Sequence, residues 1–133
     1  MTHATGNFEV TLTPQPLADP AADASLARLA IDKQFHGDLE ATSKGEMLSA
    51  GTTTEGSAGY VAIERVTGTL AGRSGSFVLQ HNATLNRGAP SLSISVVPDT
   101  GTDDLQGLTG TMTISIAEGK HSYKFDYTLG EQA

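Results

Sequence analysis

The chain has no cysteine, which excludes disulfides, thiolate nucleophiles and cysteine-ligated zinc. The same absence suits a reducing compartment. Bases are few, 8 Lys and Arg against 15 Asp and Glu, for a net charge of -7. They are scattered from Arg28 to Lys124, without the cluster that a nucleic-acid or anionic-membrane footprint needs. No apolar run approaches the ~20 residues that span a bilayer. The opening MTHATGNFEV carries neither a basic region nor an apolar run, unlike a secretory signal. The expectation is one cytoplasmic domain over residues 1–133, with no nucleic-acid or membrane partner.

Helix signals are scarce too. Glycine is frequent, with 15 residues falling between short alternating runs, a punctuation that suits strands and turns and penalises helices. The best helix candidate is Pro20–Leu29, rich in Ala and Leu. Its N-terminal half reads as a loop because Pro14, Pro16 and Pro20 lie close together.

What the chain does have is period-2 alternation, the mark of half-buried strands. Gly6–Thr13 places Phe8, Val10 and Leu12 on one face, with Pro14 as its stop. Leu26–Phe35 shares a face among Leu29, Ile31 and Phe35, interrupted by Lys33. A three-residue turn, His36-Gly37-Asp38, puts Phe35 opposite Leu39. Leu39–Ala50 continues the face through Ala41, Ser43, Gly45 and Met47, while Lys44 and Glu46 pair on the other side. Gly51–Gly56 is a polar loop.

The central hairpin is Ser57–Leu85. A two-residue turn at Ala71-Gly72 pairs Leu70 with Arg73, Val66 with Phe77, Glu64 with Leu79 and Ala62 with His81. The apolar face then holds Tyr60, Ala62, Glu64, Val66, Leu70, Phe77, Leu79 and His81. Val61, Ile63, Val78, Gln80 and Asn82 take the other face. Asn86-Arg87-Gly88 forms the next turn, and Leu92, Ile94 and Val96 alternate after Pro90. Asp99–Gly110 is a connection anchored by Leu105 and Leu108. A last hairpin around Glu118-Gly119 carries Met112, Ile114, Ile116, Tyr123, Phe125, Tyr127 and Leu129 inward.

About eight strands joined by short turns imply an all-β, closed antiparallel barrel, because closure removes exposed edges and covers the apolar face. A jelly-roll sandwich is the alternative, but it needs longer crossing connections.

The run LAGRSGSFVLQHNATL, with IERVTG before it and GTDDLQGLTG after it, resembles a family of small bacterial proteins that is a domain of unknown function. Gly68, Leu70, Gly72, Arg73, Gly75, Phe77, Gln80 and His81 carry the likeness. Val66 departs from it, standing where an aromatic is expected. The resemblance spans nearly the whole chain, including FHGDLEATSKGEML. It implies a fold similar to plant allene oxide cyclase, an eight-stranded barrel with an internal ligand cavity. It implies no cyclase activity, since that enzyme's catalytic pattern does not map onto these residues, and no substrate.

Glu64 is the sharpest site candidate. A carboxylate on an apolar face must be hydrogen-bonded or must carry a raised pKa. His81 lies diagonally across the ladder from it, and Tyr60 shares the face. With Phe77 and Leu79 these residues outline a site for a small apolar or amphipathic molecule. The enzyme alternative is an isomerase- or cyclase-like proton transfer by Glu64 and His81. The structural alternatives are a filled barrel with an interaction role, a structural polar cluster around Glu64, and Glu64 paired with Arg65 or Arg73 near the rim. Arg73, Gln80 and Asn82 are secondary candidates, the last two lining the cavity if the faces are reversed.

His3, His36 and His121 share no ligand spacing, and Asp99, Asp103 and Asp104 lack the closing glutamate of a calcium loop, so no metal is expected. No cofactor is expected either, since no Walker or dinucleotide motif is present. The apolar outer residues Val61, Ile63 and Val78 suggest burial against a second copy in a homodimer.

Overall fold

The computed structural model describes residues 2–19 and 25–130. Eight strands follow one another around a closed barrel in chain order. They are β1 (Thr2–Gln15), β2 (Leu26–Gly37), β3 (Leu39–Gly51), β4 (Ala58–Leu70), β5 (Arg73–Asn86), β6 (Ala89–Val96), β7 (Leu108–Ala117) and β8 (Lys120–Leu129). Every neighbouring pair is antiparallel, and β8 returns to β1 with Tyr127 opposite Thr2. One 3-10 turn, Asp103–Leu105, interrupts the link from β6 to β7. The sandwich alternative fails because consecutive strands pair throughout and no connection crosses.

Three hairpins turn on two residues that both have positive φ: Ala71-Gly72, Arg87-Gly88 and Glu118-Gly119. That backbone twist matches the twist of the flanking strands and fixes register. Hence β4 meets β5 with Leu70 opposite Arg73 and Ala62 opposite His81, as the sequence predicts. Asn86 is not part of its turn; it pairs with Ala89.

The sequence reading needs correction elsewhere. Leu26–Leu29 belongs to β2, as the strand reading has it, and not to the overlapping helix candidate, because tertiary pairing with β1 and β3 outweighs weak helical propensity. The rest of that candidate, up to residue 24, lies outside the described residues. Phe35 faces Ala41 rather than Leu39, since Asp38 alone tops the β2–β3 turn. The two-residue slip leaves both strand faces unchanged. Lys44 pairs with Asp32 and Glu46 with Arg28, across to β2 rather than with each other. Pro14 lies inside β1; beyond Phe8 that strand pairs only with β2, an edge position where a missing donor is tolerated. Val78 points outward but is buried, because the 97–107 connection folds over it. Val97 N donates to Val78 O at 2.9 Å, and Val78 N donates to Thr100 Oγ1 at 3.1 Å.

The two barrel ends differ. At the end carrying the β2–β3 and β4–β5 turns, Phe35, Leu39, Leu70, Phe77, Leu105, Leu108 and Phe125 are fully buried. Phe77 stacks on Phe125 at 5.7 Å. Tyr123 Oη donates to His36 O at 2.9 Å and accepts from Leu39 N at 3.0 Å, tying β8 to the β2–β3 turn. At the other end the inward-facing Leu12 and Leu92 are each 43% exposed and Ile116 67%. There β6 and β7 pair only at Ile94–Met112 and Ser95–Thr111, and β1 runs past the tip of the β7–β8 hairpin.

Candidate functional site

Between these ends, a diagonal of polar side chains crosses four adjacent strands on the inner face. Lys33 on β2 stands opposite Ser43 on β3. Gly45, two residues beyond Ser43, stands opposite Glu64 on β4. His81 on β5 lies one step diagonally from Glu64, which itself faces Leu79. Gly45 makes this possible, for a Cβ there would lie 2.0 Å from Ile63 O and 2.6 Å from Glu64 Cα.

All four polar side chains are buried. Lys33 Nζ donates to Glu64 Oε2 at 2.8 Å, and Ser43 Oγ donates to Oε1 at 2.7 Å. His81 Nε2 lies 2.5 Å from Oε2. Since a carboxylate oxygen accepts, Nε2 is the nitrogen carrying the proton. Lys33 Nζ also sits 5.0 Å from the centre of the Phe8 ring and 5.7 Å from that of Phe35, a cation–π arrangement.

Burial alone would push the Glu64 carboxyl up. The hydrogen bond from His81 and the charge and hydrogen bond of Lys33 outweigh it, holding the group down at about 2. Glu64 is therefore a permanent carboxylate at neutral pH and orients its partners. The Tyr60 hydroxyl is pushed up by burial and then by the Glu64 charge, and its ring meets the His81 ring edge-on at 6.2 Å.

Among the described residues no group bonds His81 Nδ1, and none of their buried side-chain nitrogens lacks a partner. Where β1 leaves β8, a depression of about 480 Å³ is lined by Phe8, Val10 and His121 but not by His81.

The structure thus brings Glu64, His81 and Tyr60 together. Phe77 and Leu79 belong to the filled core rather than to the open end. Gln80 and Asn82 are exposed on the outer wall, so the faces are not reversed. Neither Arg65 nor Arg73 is the partner of Glu64, and Arg73 forms no ion pair among the described residues. The sequence reading missed Lys33 and Ser43. Their signal was parity, for Lys33 alternates with Leu29, Ile31 and Phe35 and so had to point inward. Among the described residues no group of three or more His, Asp or Glu is placed to hold a metal ion. None of their helices is long and apolar enough to cross a membrane.

Residues 4–127 match the family model DUF3224, described as a protein of unknown function. The chain belongs to the DUF3224 family. It is also similar to the crystal structure of a DUF3224 protein with unknown function from Shewanella oneidensis MR-1, at 50% identity over 99% of each chain and with a TM-score of 0.94. No curated protein matches it. The small bacterial barrel family expected from LAGRSGSFVLQHNATL is therefore the right one, and this DUF3224 barrel has the strand count and closure expected of it.

Proposed function

We propose that the protein is a binding module that takes a small amphipathic molecule into the open end of the barrel. The observation that carries this is the burial gradient along the inner face. Inward-pointing Leu12, Leu92 and Ile116 stay in water above a buried charged cluster, and exposed apolar patches of this kind commonly mark binding sites. The apolar part of the ligand packs on Leu29, Met47, Tyr60 and Ile114. Its polar head meets Nδ1 of His81, an acceptor while the ring is neutral, and the Tyr60 hydroxyl. A hydroxyl group, which both donates and accepts, suits that pair. Lys33 and Glu64 neutralise each other, so nothing in the floor demands a charged head. The expected likeness to the allene oxide cyclase barrel is compatible with such a site but supplies no residue of it. A cytoplasmic setting fits a chain without cysteine.

Nile red, an uncharged apolar dye, tests this with 1-decanol as competitor. Leu92→Asp should weaken dye binding about tenfold or more, and His81→Phe should weaken decanol competition while sparing the dye. Ile63→Glu, on the outer wall, should leave both unchanged. Dye binding that ignores Leu92→Asp and follows Ile63→Glu would sink the proposal.

One observation favours a second reading, isomerase- or cyclase-like proton transfer. A carboxylate 2.5 Å from Nε2 orients the imidazole, which could then move a proton at Nδ1. His81 would then be the acid–base group and Glu64 its positioning residue. Native mass spectrometry would identify any co-purifying molecule. Turnover of that molecule, lost in a folded Glu64→Gln variant that still binds it, would select the enzyme reading.

A further inference from the structure

We propose that the outer wall around Leu26, Leu48, Val61 and Ile63 is the interface with a second copy of this chain. Large apolar residues exposed among the described residues fall into two groups. Leu12, Leu85, Leu92 and Ile116 point inward at the open end. Leu26, Leu48, Val61 and Ile63 point outward from β2, β3 and β4, each about half exposed. Leu48 stands directly opposite Val61, Ile63 follows two residues along, and Leu26 lies diagonally beyond, so the four form one strip.

The opposite half of the barrel is a built-in contrast. Its outward positions are Ser91, Ser93 and Ser95 on β6, Thr109, Thr111, Thr113 and Ser115 on β7, and Ser122, Lys124, Asp126 and Thr128 on β8. The same architecture therefore has a polar wall on one side and an apolar one on the other. Packing within the barrel explains neither, since both walls face away from the core.

The strip forms the floor of a groove of about 1350 Å³, walled on one side by Pro16 and Leu17. In a two-fold dimer the same face meets itself, so the apolar strip of one copy would be covered by the strip of the other. The border also suits an identical copy. Arg28 and Glu46 neutralise each other there, Gln80 and Asn82 are uncharged, and Asp19 on the rim has interactions of its own. A second chain that is also net acidic meets no uncompensated acid field on the strip, whereas a basic partner would be drawn to the acidic excess elsewhere. Four half-exposed aliphatic side chains supply roughly 300–400 Å² of apolar core within the ~800 Å² per partner that a stable interface buries. Pro16 and Leu17 of the groove wall extend that core, and Gln80 and Asn82 add a polar rim.

Sedimentation equilibrium of the full chain at micromolar concentration should give about 27.6 kDa, twice 13.8 kDa. Ile63→Glu should weaken association at least about tenfold while the chain keeps its folded circular-dichroism spectrum, and Thr113→Glu on the polar wall should leave association intact. Because the chain has no cysteine, single-cysteine variants give a second measurement that does not depend on the glutamate variant folding. Ile63→Cys should oxidise to a covalent dimer and Thr113→Cys should not. A monomer at every concentration, a dimer indifferent to Ile63→Glu, or equal crosslinking from both cysteines would overturn the proposal. So would a monomer that loses Nile red binding in Ile63→Glu, since the strip would then hold a small apolar ligand.

Discussion

At the closed end of the barrel, Phe35, Phe77 and Phe125 point inward and are 0–1% exposed. At the open end, Leu12, Leu92 and Ile116 also point inward, on strands of the same sheet, and are 43–67% exposed. All six are large apolar side chains of inward parity, so apolar character does not distinguish these positions; what closes over them does. The closed end has the 97–107 connection, which brings in Leu105 and Leu108, and the Tyr123 hydroxyl bonded into the β2–β3 turn. At the open end the β6–β7 pairing is short and the β7–β8 hairpin stops below the end of β1. Alternation decides which way a side chain points, and connections decide whether it is covered. The charged diagonal sits where covered passes into uncovered.

The largest test of this contrast is stability. Phe77→Ala removes a fully buried ring stacked on Phe125 and should cost about 3–5 kcal/mol in urea unfolding. A loss below about 1 kcal/mol would mean that the closed end is not packed as described.

At the boundary, Glu64→Ala strands the buried Lys33 ammonium and should cost about 3–5 kcal/mol. Glu64→Gln keeps the shape and one acceptor and should cost less. Lys33→Met combined with Glu64→Leu removes both charges and should unfold later than Glu64→Ala alone. Equal midpoints for wild type, Glu64→Ala and Glu64→Gln would take the carboxylate out of the interior.

The pH dependence is smaller and has a definite sign. The folded carboxyl is held at about 2, below its ordinary 4.5. Its contribution is therefore fully present above about 4.5 and is lost as the pH falls through about 2, with a ceiling of about 3 kcal/mol. Stability measured between pH 5 and 2 should fall more steeply in wild type than in Glu64→Gln. Parallel curves would count against the ion cluster.

The smallest effect belongs to the open end. Ile116→Ser should change stability by no more than about 0.5 kcal/mol, because that side chain is already in water. A loss comparable to Phe77→Ala would show that the open end is covered in solution.

The fold was legible where turn chemistry fixes register. Once Ala71-Gly72 is recognised as a two-residue turn, every pair of the β4–β5 hairpin follows, including the diagonal between Glu64 and His81. The same holds for Glu118-Gly119. The β2–β3 register was less legible because a single residue, Asp38, tops that turn, and glycine and histidine beside it admit more than one loop length. Lys33 looked like an interruption, since its partner lies two strands away. Local alternation shows that a lysine points inward but not which carboxylate waits there. Val78 misled for a related reason: its cover comes from the 97–107 connection, which leaves no mark on the alternation of β5.

Strand order also shapes how the chain reaches this structure. Seven of the eight pairings join strands that follow one another in sequence, and the eighth closes the ring by setting Thr2 against Tyr127. Loop closure over that span costs about 4 kcal/mol by the logarithmic length law, against about 2 kcal/mol or less for each consecutive pair. The meander therefore assembles from local hairpins, and shutting the ring is the late step. Phe8, packed against β2 and β8 at that joint, should have a folding φ-value near 0, with higher values in the β4–β5 hairpin. A φ-value near 1 at Phe8 would reverse the order of events.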